Sequence, residues 1–124
     1  MTFVETADAP APAGHYAQAV VHNSLAFVSG ILPITPTGQK LTDAPIAEQT
    51  EQVLANLEAI LHAAGSQRER VLKVTIFVAD IDAWGTVNQI YAQFFGSHRP
   101  ARSIVPIPTL HYGLQIELEA IAAV

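Results

Sequence analysis

The segment 114–124 alternates between two kinds of side chain, and this pattern constrains the fold more than any other. One set of positions is wholly apolar: Leu114, Ile116, Leu118, Ala120 and Ala122. The positions between them carry Gln115, Glu117, Glu119 and Ile121. A period of two is the signature of a β-strand that buries one face. The chain is therefore expected to fold around a sheet, with another layer covering the apolar face of this strand.

Two segments have the helical spacing needed to form that layer. The first is expected to begin after Asp43, a capping residue, and Pro45, which suits a first helical turn, and to end at Gly65. Its apolar side chains keep the three-and-four spacing of one buried face. They are Ile46, Val53, Leu54, Leu57, Ile60, Leu61 and Ala64.

The second helix is expected between a capping aspartate, Asp80 or Asp82, and Gly96. Asn88 lies within its apolar stripe, one helical turn from aromatic residues on either side. A buried amide needs hydrogen-bond partners. A backbone carbonyl and a bound ligand both fit the pattern. The stripe consists of Trp84, Val87, Tyr91, Phe94 and Phe95.

The first part of the chain predicts a hairpin that follows an extended approach. Residues 18–28 contain two apolar runs separated by a turn signal at 22–24. Residues 1–14 are expected to form an extended lead-in, because Pro10 and Pro12 disfavour a helix there.

Two more segments are typical of strands. β-branched residues are frequent in 71–79, which predicts a central strand. Residues 102–107 predict a strand at an edge, because Pro106 and Pro108 limit its pairing. The order β-β-α-β-α-β-β predicts a single α+β domain over residues 1–124, with two helices packed on one face of a mixed sheet. The other face also contains apolar residues, and no segment is left to cover it.

The low content of charge supports the same conclusion about that face. Charged residues make up 14% of the chain, against about 25% in typical globular proteins. Burial of part of the surface against other copies of the chain explains the shortage. A monomer with an alanine-rich surface is the alternative.

Composition also disfavours several classes of function. The net charge is −5 and no basic cluster is present, which argues against a general nucleic-acid binder. The absence of cysteine excludes thiol chemistry. Because no basic leader and no long apolar run is present, we expect a soluble, cytoplasmic protein without a membrane anchor.

Recognisable catalytic motifs are missing as well. The five histidines do not stand at a metal-ligand spacing, so no metal site is expected. The chain has no Gly-x-Ser-x-Gly nucleophile turn and no phosphate-binding glycine loop. The remaining candidates are polar side chains placed among apolar ones.

Arg102 is the first of these candidates. It is one of six lysines and arginines and stands in a segment with the pattern of a buried strand. A guanidinium among apolar neighbours is costly unless it is paired, and its planar fork suits a carboxylate. The partner is either an internal Asp or Glu or the carboxylate of a small substrate. A side chain that extends to water is the third alternative.

Tyr16 and two glutamates complete the set. Tyr16 follows the proline-rich approach, and a packed tyrosine whose hydroxyl reaches water explains it equally well. Glu117 and Glu119 share one strand face. We expect Glu117 to be solvated and Glu119 to lie nearer the protected end.

Several short motifs occur together and in order, and together they resemble the RidA/YjgF family of reactive-imine deaminases over residues 9–124. They are Ala9-Pro10 with Gly14, Tyr16 and Gln18-Ala19; Val28-Ser29-Gly30 with Pro33; Gln49-Thr50-Glu51-Gln52-Val53-Leu54 with Asn56-Leu57; Val87-Asn88 with Tyr91 and Phe94-Phe95; Pro100-Ala101-Arg102-Ser103; and Glu117 with Glu119-Ala120-Ile121-Ala122.

The resemblance implies a chorismate-mutase-like α+β fold assembled as a homotrimer, with the sheets around a central barrel and clefts between subunits. It implies hydrolysis of 2-enamine and 2-imino acids, such as 2-aminoacrylate and 2-iminopropanoate, to 2-oxo acids and ammonia. It implies that no cofactor is needed. The implied partners are small imino acids and further copies of the chain.

The resemblance also implies a role for each candidate residue. Arg102 would bind the substrate carboxylate. Glu119 and the backbone carbonyl of Ile104 would hold the attacking water. Tyr16 would enter the pocket from the neighbouring subunit. Gly30 and Asn88 would shape the wall of the pocket.

This chain departs from the family pattern around the implied cleft. His15 stands where proline is usual, Ala17 where serine is frequent, Ile31 where glutamine is common and Pro106 where an acid is frequent. The tract 108–113 also differs from the usual loop. These departures affect the expected substrate range more than the expected reaction.

Two other functions remain open at this point. A trimer of the same fold that binds carboxylates without turnover is the main alternative. A ribonuclease or translation inhibitor is an older label for the family, and the acidic pI of about 5.4 counts against it.

Overall fold

A computed structural model describes all 124 residues as one six-stranded sheet with two helices packed on one face. The strands are β1 (Thr2–Val4), β2 (Ala19–His22), β3 (Leu25–Ile31), β4 (Val71–Val78), β5 (Ala101–Pro106) and β6 (Ile116–Ala123). The helices are α1 (Ile46–Ala63) and α2 (Trp84–Phe95). The strand order is β1-β2-β3-β6-β4-β5, and only the β4–β5 pair is parallel. The predicted mixed α+β architecture is confirmed.

The hairpin, the central strand and the edge strand all lie where they were predicted. Asn23 and Ser24 connect β2 to β3 with φ of 50° and 64°. Two successive left-handed residues form the turn that matches the twist of a two-residue hairpin. β4 lies between β6 and β5, whereas β5 has a neighbour on one side only.

The strand β1 was not predicted: within the segment expected to form an extended lead-in, Thr2–Val4 pairs with the free edge of β2. Three residues are too few to show an alternating pattern, so only the pairing reveals the strand. The buried side chain of Gln18 holds the rest of the lead-in in place. Its Nε2 donates to the carbonyls of Thr6 (3.1 Å) and Pro10 (2.9 Å), and its Oε1 accepts from the Thr6 amide (2.7 Å).

The predicted caps were only partly right. Asp43 does not cap α1; Pro45 occupies the N-cap position and no side chain bonds there. Asp80 accepts from the amide of Asp82 at 2.9 Å, but it caps the short 3-10 turn at 81–83 that precedes α2. The predicted buried face of α1 is otherwise confirmed by Val53, Leu54, Leu57, Ile60 and Leu61, all buried against the sheet.

Three polar side chains on the buried side of α1 were not predicted. Gln49 accepts from the Gln115 amide at 2.9 Å, and Asn56 donates to the Ile34 carbonyl at 2.8 Å. Thr50 bonds back to the carbonyl of Ile46 at 2.7 Å. Because buried amides must be satisfied, Gln49 and Asn56 fix the start of the β6 segment and the loop after β3. These two segments border the candidate site.

The second face of the sheet has no cover within the chain, as predicted. The register aligns Phe3, Val20, Phe27 and Ile121 in one row across this open face. Phe3 is 72% exposed and Phe27 43% exposed. Contiguous exposed apolar side chains of this kind mark interaction surfaces.

Candidate active site

Arg102 lies on the helix-covered side of β5, where its side chain meets α2. Its Nη1 donates to Oδ1 of Asn88 at 2.9 Å. Its guanidinium carbon lies 4.9 Å from the ring centroid of Trp84 and 4.6 Å from that of Tyr91. The three α2 residues are spaced by four and three, so they share one helix face. The sequence had predicted the amide within the stripe, and the structure shows that it bonds the arginine.

An internal ion pair does not explain Arg102. The only salt bridge in the structure joins Arg68 to Glu58. Arg102 is partly buried and forms a single side-chain hydrogen bond, to Asn88. A guanidinium has five N–H donors in a planar fork, so several donors remain for another group. The internal-partner alternative is therefore wrong, and a carboxylate of an external molecule can complete the set.

Tyr91 contributes no negative charge beside Arg102. Its hydroxyl is buried and has no hydrogen-bond partner. Burial raises the pKa of Tyr91 to about 12, and the nearby charge of Arg102 opposes this shift. The phenol is consequently neutral at physiological pH and does not neutralise the arginine.

Glu119 lies on the other side of the sheet from Arg102. It pairs in register with Thr75 of β4, which pairs in turn with Ser103 of β5. Paired residues share a face, and neighbours along a strand alternate. The side chain of Glu119 is exposed on the open face, while Ile104 points to the covered side and packs against the core.

The expectation for Glu117 was wrong. Glu117 is partly buried, whereas Glu119 is the exposed member of the pair. The backbone of Gly30 packs against the carboxyl group of Glu117 and partly buries it. The approach is so close that a Cβ on Gly30 would lie 3.0 Å from Oε1 of Glu117. Burial raises the pKa of Glu117, the charge of Glu119 raises it further, and His111 lowers it. Strand periodicity could not reveal this, because the contact depends on how β3 passes β6.

Tyr16 and Gly30 line a cavity of about 420 Å³ near the opposite edge of the sheet. The lead-in, the end of β3, the loop 34–40 and the turn at 111–113 enclose it. Tyr16 is 51% exposed. Its backbone region is held because Ser29 Oγ donates to the Ala17 carbonyl at 2.6 Å.

Three further residues at this cavity were not predicted as site residues. The rings of His111 and Tyr112 stack at 3.7 Å between centroids, and Nζ of Lys40 lies 4.7 Å from the Tyr112 centroid. Tyr112 has φ of 62° and its carbonyl accepts from Oγ1 of Thr42 at 3.0 Å. The unusual tract 108–113 was the only sequence signal for this cluster.

A single chain does not bring all of the predicted residues together. β2, which follows Tyr16, and β5, which carries Arg102, are four strand spacings apart in the sheet. At about 4.8 Å per spacing this is roughly 19 Å. Arg102 and Asn88 form one group, Tyr16 and Gly30 form another, and Glu119 lies between them on the open face.

The structure lacks both a metal-binding cluster and a membrane-spanning helix. No three His, Asp or Glu side chains come close enough together to hold a metal ion. Neither helix combines the length and the apolar character that crossing a bilayer would require.

Comparison with known proteins gives consistent relatives. The family model described as Endoribonuclease L-PSP matches residues 6–124. Protein HMF1 of Saccharomyces cerevisiae is 44% identical over 123 residues, covering 99% of this chain and 95% of that protein. The 2-iminobutanoate/2-iminopropanoate deaminase of Homo sapiens is 40% identical over 119 residues, covering 96% of this chain and 87% of that protein.

Solved structures agree with these relatives. A crystal structure described as a putative endoribonuclease from Thermotoga maritima superposes with a TM-score of 0.95 at 47% identity, covering 100% of this chain and 98% of that one. A structure of TdcF from E. coli with bound serine also has a TM-score of 0.95, at 35% identity, covering 100% and 99% of the two chains.

Proposed function

The chain belongs to the RidA/YjgF family, whose sequence model is described as Endoribonuclease L-PSP. From this premise we propose that it hydrolyses reactive 2-enamine and 2-imino acids to 2-oxo acids and ammonia. The observation that carries the proposal is Arg102, a partly buried guanidinium that has free donors and forms no salt bridge within the chain. Relatives at about 40% identity are named as deaminases of 2-iminobutanoate and 2-iminopropanoate.

In this proposal Arg102 binds the carboxylate that every substrate of this class carries. A bidentate arginine–carboxylate pair fixes orientation as well as position. Asn88 holds one nitrogen of the guanidinium, and the rings of Trp84 and Tyr91 restrict its tilt. The remaining edge of the fork is available to the ligand.

Glu119 and the backbone carbonyl of Ile104 hold the attacking water. A protonated C=N group is already electrophilic, so placing water against its carbon provides most of the acceleration. The carboxylate adds general-base assistance and stabilises the cationic nitrogen. Addition of water forms a carbinolamine, which expels ammonia. The protein residues suffice for each step, and the proposal includes no cofactor.

A homotrimer completes the site by placing Tyr16, Gly30 and Glu119 of one subunit opposite Arg102 of the next, because Glu119 and Arg102 of one chain lie on opposite sides of its sheet. Two observations support it: the distance between the two groups in one chain, and the uncovered apolar face of the sheet. Each subunit acts as a single domain over residues 1–124. The proposed place of action is the cytoplasm, where pyridoxal-phosphate enzymes release such imines.

A second function, binding of carboxylate ligands without turnover, has one observation in its favour. The related TdcF was crystallised with serine, an amino acid that carries a carboxylate. In this case Arg102 would bind the ligand and Glu119 would be structural. Stabilisation by ligand without product formation would then be observed.

A competition assay separates the two functions. An amino-acid oxidase or a serine dehydratase generates the imine, and the protein competes with semicarbazide for it. We expect the wild type to suppress semicarbazone formation and Arg102→Ala to lose at least about 100-fold in kcat/KM, because a buried charge pair is worth several kcal/mol. Arg99→Ala, which removes an exposed arginine nearby, is the matched control and should retain activity.

The outcomes are distinct. If the wild type suppresses no semicarbazone with any imine, while 2-oxo acids or amino acids raise its Tm, the binding function replaces the enzymatic one. Sedimentation tests the assembly separately, and a strictly monomeric protein would rule out a site shared between subunits.

A further inference from the structure

Lys40 is a cation at the cavity, and the roles described above leave it unused. The cavity of about 420 Å³ is lined by no aspartate and no glutamate, and Lys40 is the only lysine or arginine in its lining. Lys40 takes no part in the one salt bridge of the structure, which joins Arg68 to Glu58. Its ammonium group carries three N–H donors. An unpaired cation in a cavity without acids favours an anionic group on a bound molecule.

The backbone at Lys40 is fixed by the segment that leaves the candidate site. Lys40 pairs with Ile34 in an isolated antiparallel bridge. The side-chain amide of Asn56 on α1 donates to the Ile34 carbonyl at 2.8 Å. Ile34 follows Gly30 by four positions, so the strand that carries Gly30 leads directly into the segment that places Lys40.

The side chain of Lys40 rests on the turn at 111–113. Its Nζ lies 4.7 Å from the ring centroid of Tyr112, within the range of about 6 Å over which a ring attracts a cation. The Tyr112 ring stacks on that of His111, and Oγ1 of Thr42 donates to the Tyr112 carbonyl at 3.0 Å. Tyr112 has φ of 62°, a conformation that a bulky residue keeps only where its surroundings hold it. The turn therefore supports the ammonium group at the cavity.

The cavity connects Lys40 to the proposed reaction centre. Tyr16 and Gly30, which the proposed trimer places opposite Arg102 of the neighbouring subunit, line the same cavity as Lys40. A substrate held by that arginine faces the cavity, and its side chain can enter along apolar lining such as Ile31. A volume of about 420 Å³ is in the range of pockets that hold whole ligands, about 300–1,000 Å³. A methyl or ethyl side chain would leave most of it unfilled.

We propose that Lys40 determines the side-chain specificity of the site, and that the preferred substrates are 2-imino acids with a second carboxylate at the end of the side chain. This inference rests on the function proposed above. The α-carboxylate binds Arg102, and the side-chain carboxylate binds the ammonium group of Lys40. The methylene groups between them lie against the apolar wall. The reaction itself is unchanged: one imine and one water give one 2-oxo acid and one ammonia.

The test compares two imines of similar length in the semicarbazide competition assay. 2-Iminoglutarate, formed by a glutamate oxidase, carries the second carboxylate, whereas the imine formed from methionine by an amino-acid oxidase has a neutral side chain. We expect the wild type to have the higher kcat/KM for 2-iminoglutarate. Lys40→Met keeps the length of the side chain without its charge. It should lower the ratio of the two kcat/KM values about fivefold, which corresponds to about 1 kcal/mol, the strength of a good exposed ion pair.

Three controls separate the charge of Lys40 from its packing. Lys40→Arg keeps the charge and should retain most of the wild-type ratio. Higher ionic strength should lower the ratio of the wild type but not that of Lys40→Met, because salt screens an exposed ion pair. Arg99→Met removes a positive charge from an exposed residue outside the cavity and should keep the wild-type ratio.

The outcomes distinguish this inference from the function on which it rests. It is overturned if Lys40→Met keeps the wild-type ratio, or if the wild type prefers the methionine-derived imine at low salt. A ratio that falls in Lys40→Met but does not respond to salt assigns Lys40 a packing role and also overturns it. If the wild type suppresses semicarbazone formation from neither imine, nor from any other, the failure lies in the proposed function itself.

Discussion

The two faces of the sheet differ in what the chain itself supplies. On the covered face, Leu118 and Ala120 of β6 pack against the helices and are nearly inaccessible. On the open face, the alternate residues of the same strand, Glu119 and Ile121, meet no helix and keep contact with solvent. One face of β6 is therefore covered by helices of the same chain, and its other face is not.

The same division runs through the candidate site. Arg102, Asn88 and the two rings form a complete arrangement on the covered side of the sheet edge. Glu117 and Glu119 lie on the open face, and Tyr16 lies near the far edge. Under the proposed function, the difference teaches that the carboxylate would be bound by residues of one chain, whereas hydrolysis would depend on what covers the open face.

The largest expected effect tests the difference between the faces directly. Leu118→Ala removes a fully buried side chain and should lower the free energy of unfolding by about 3 kcal/mol. Ile121→Ala, on the open face of the same strand, is the matched control. Urea unfolding of both variants at a concentration where the protein is monomeric measures the pair. Equal losses would show that the two faces are equivalently packed in one chain.

An intermediate effect concerns the rings beside Arg102. Trp84→Leu removes a cation–π contact of about 1 kcal/mol and leaves the Asn88 bond in place. We expect KM to rise about fivefold with kcat nearly unchanged, because the loss affects the placement of the carboxylate. Gln93→Ala, on the exposed side of α2, should leave both constants unaltered. A change confined to kcat would contradict a binding role.

The smallest effect concerns the open face and pH. Burial raises the pKa of Glu117 above the value of 4.5 for an ordinary glutamate, so the folded state holds the proton more tightly. Its contribution to stability is therefore greatest below pH 4.5 and is lost as pH rises through the raised pKa. Glu117→Gln should flatten this part of the stability curve. Unfolding by urea at a series of pH values measures it, and an unchanged slope would show that the shift is absent.

Local pattern was sufficient for most of the architecture. The period of two in β6 and the period of 3.6 in α1 each depend on residues close in sequence, and both predictions are confirmed. The caps at Asp43 and Asp82 were wrong, because the path of the preceding chain places Pro45 at the N-cap position of α1 and Ala83 at that of α2. β1 was missed since its stability comes from the edge of β2.

For the site, the sequence by itself determined which residues stand out: a lone arginine in an apolar strand, an amide in an aromatic stripe, and paired acids on one strand face. Only the tertiary structure decided that Arg102 has no acid partner and bonds Asn88. It also decided that Glu117, not Glu119, is the less exposed acid, because Gly30 packs against it. The physical reason is that periodicity assigns a residue to a face, whereas burial and hydrogen bonding depend on which distant backbone comes to lie beside it.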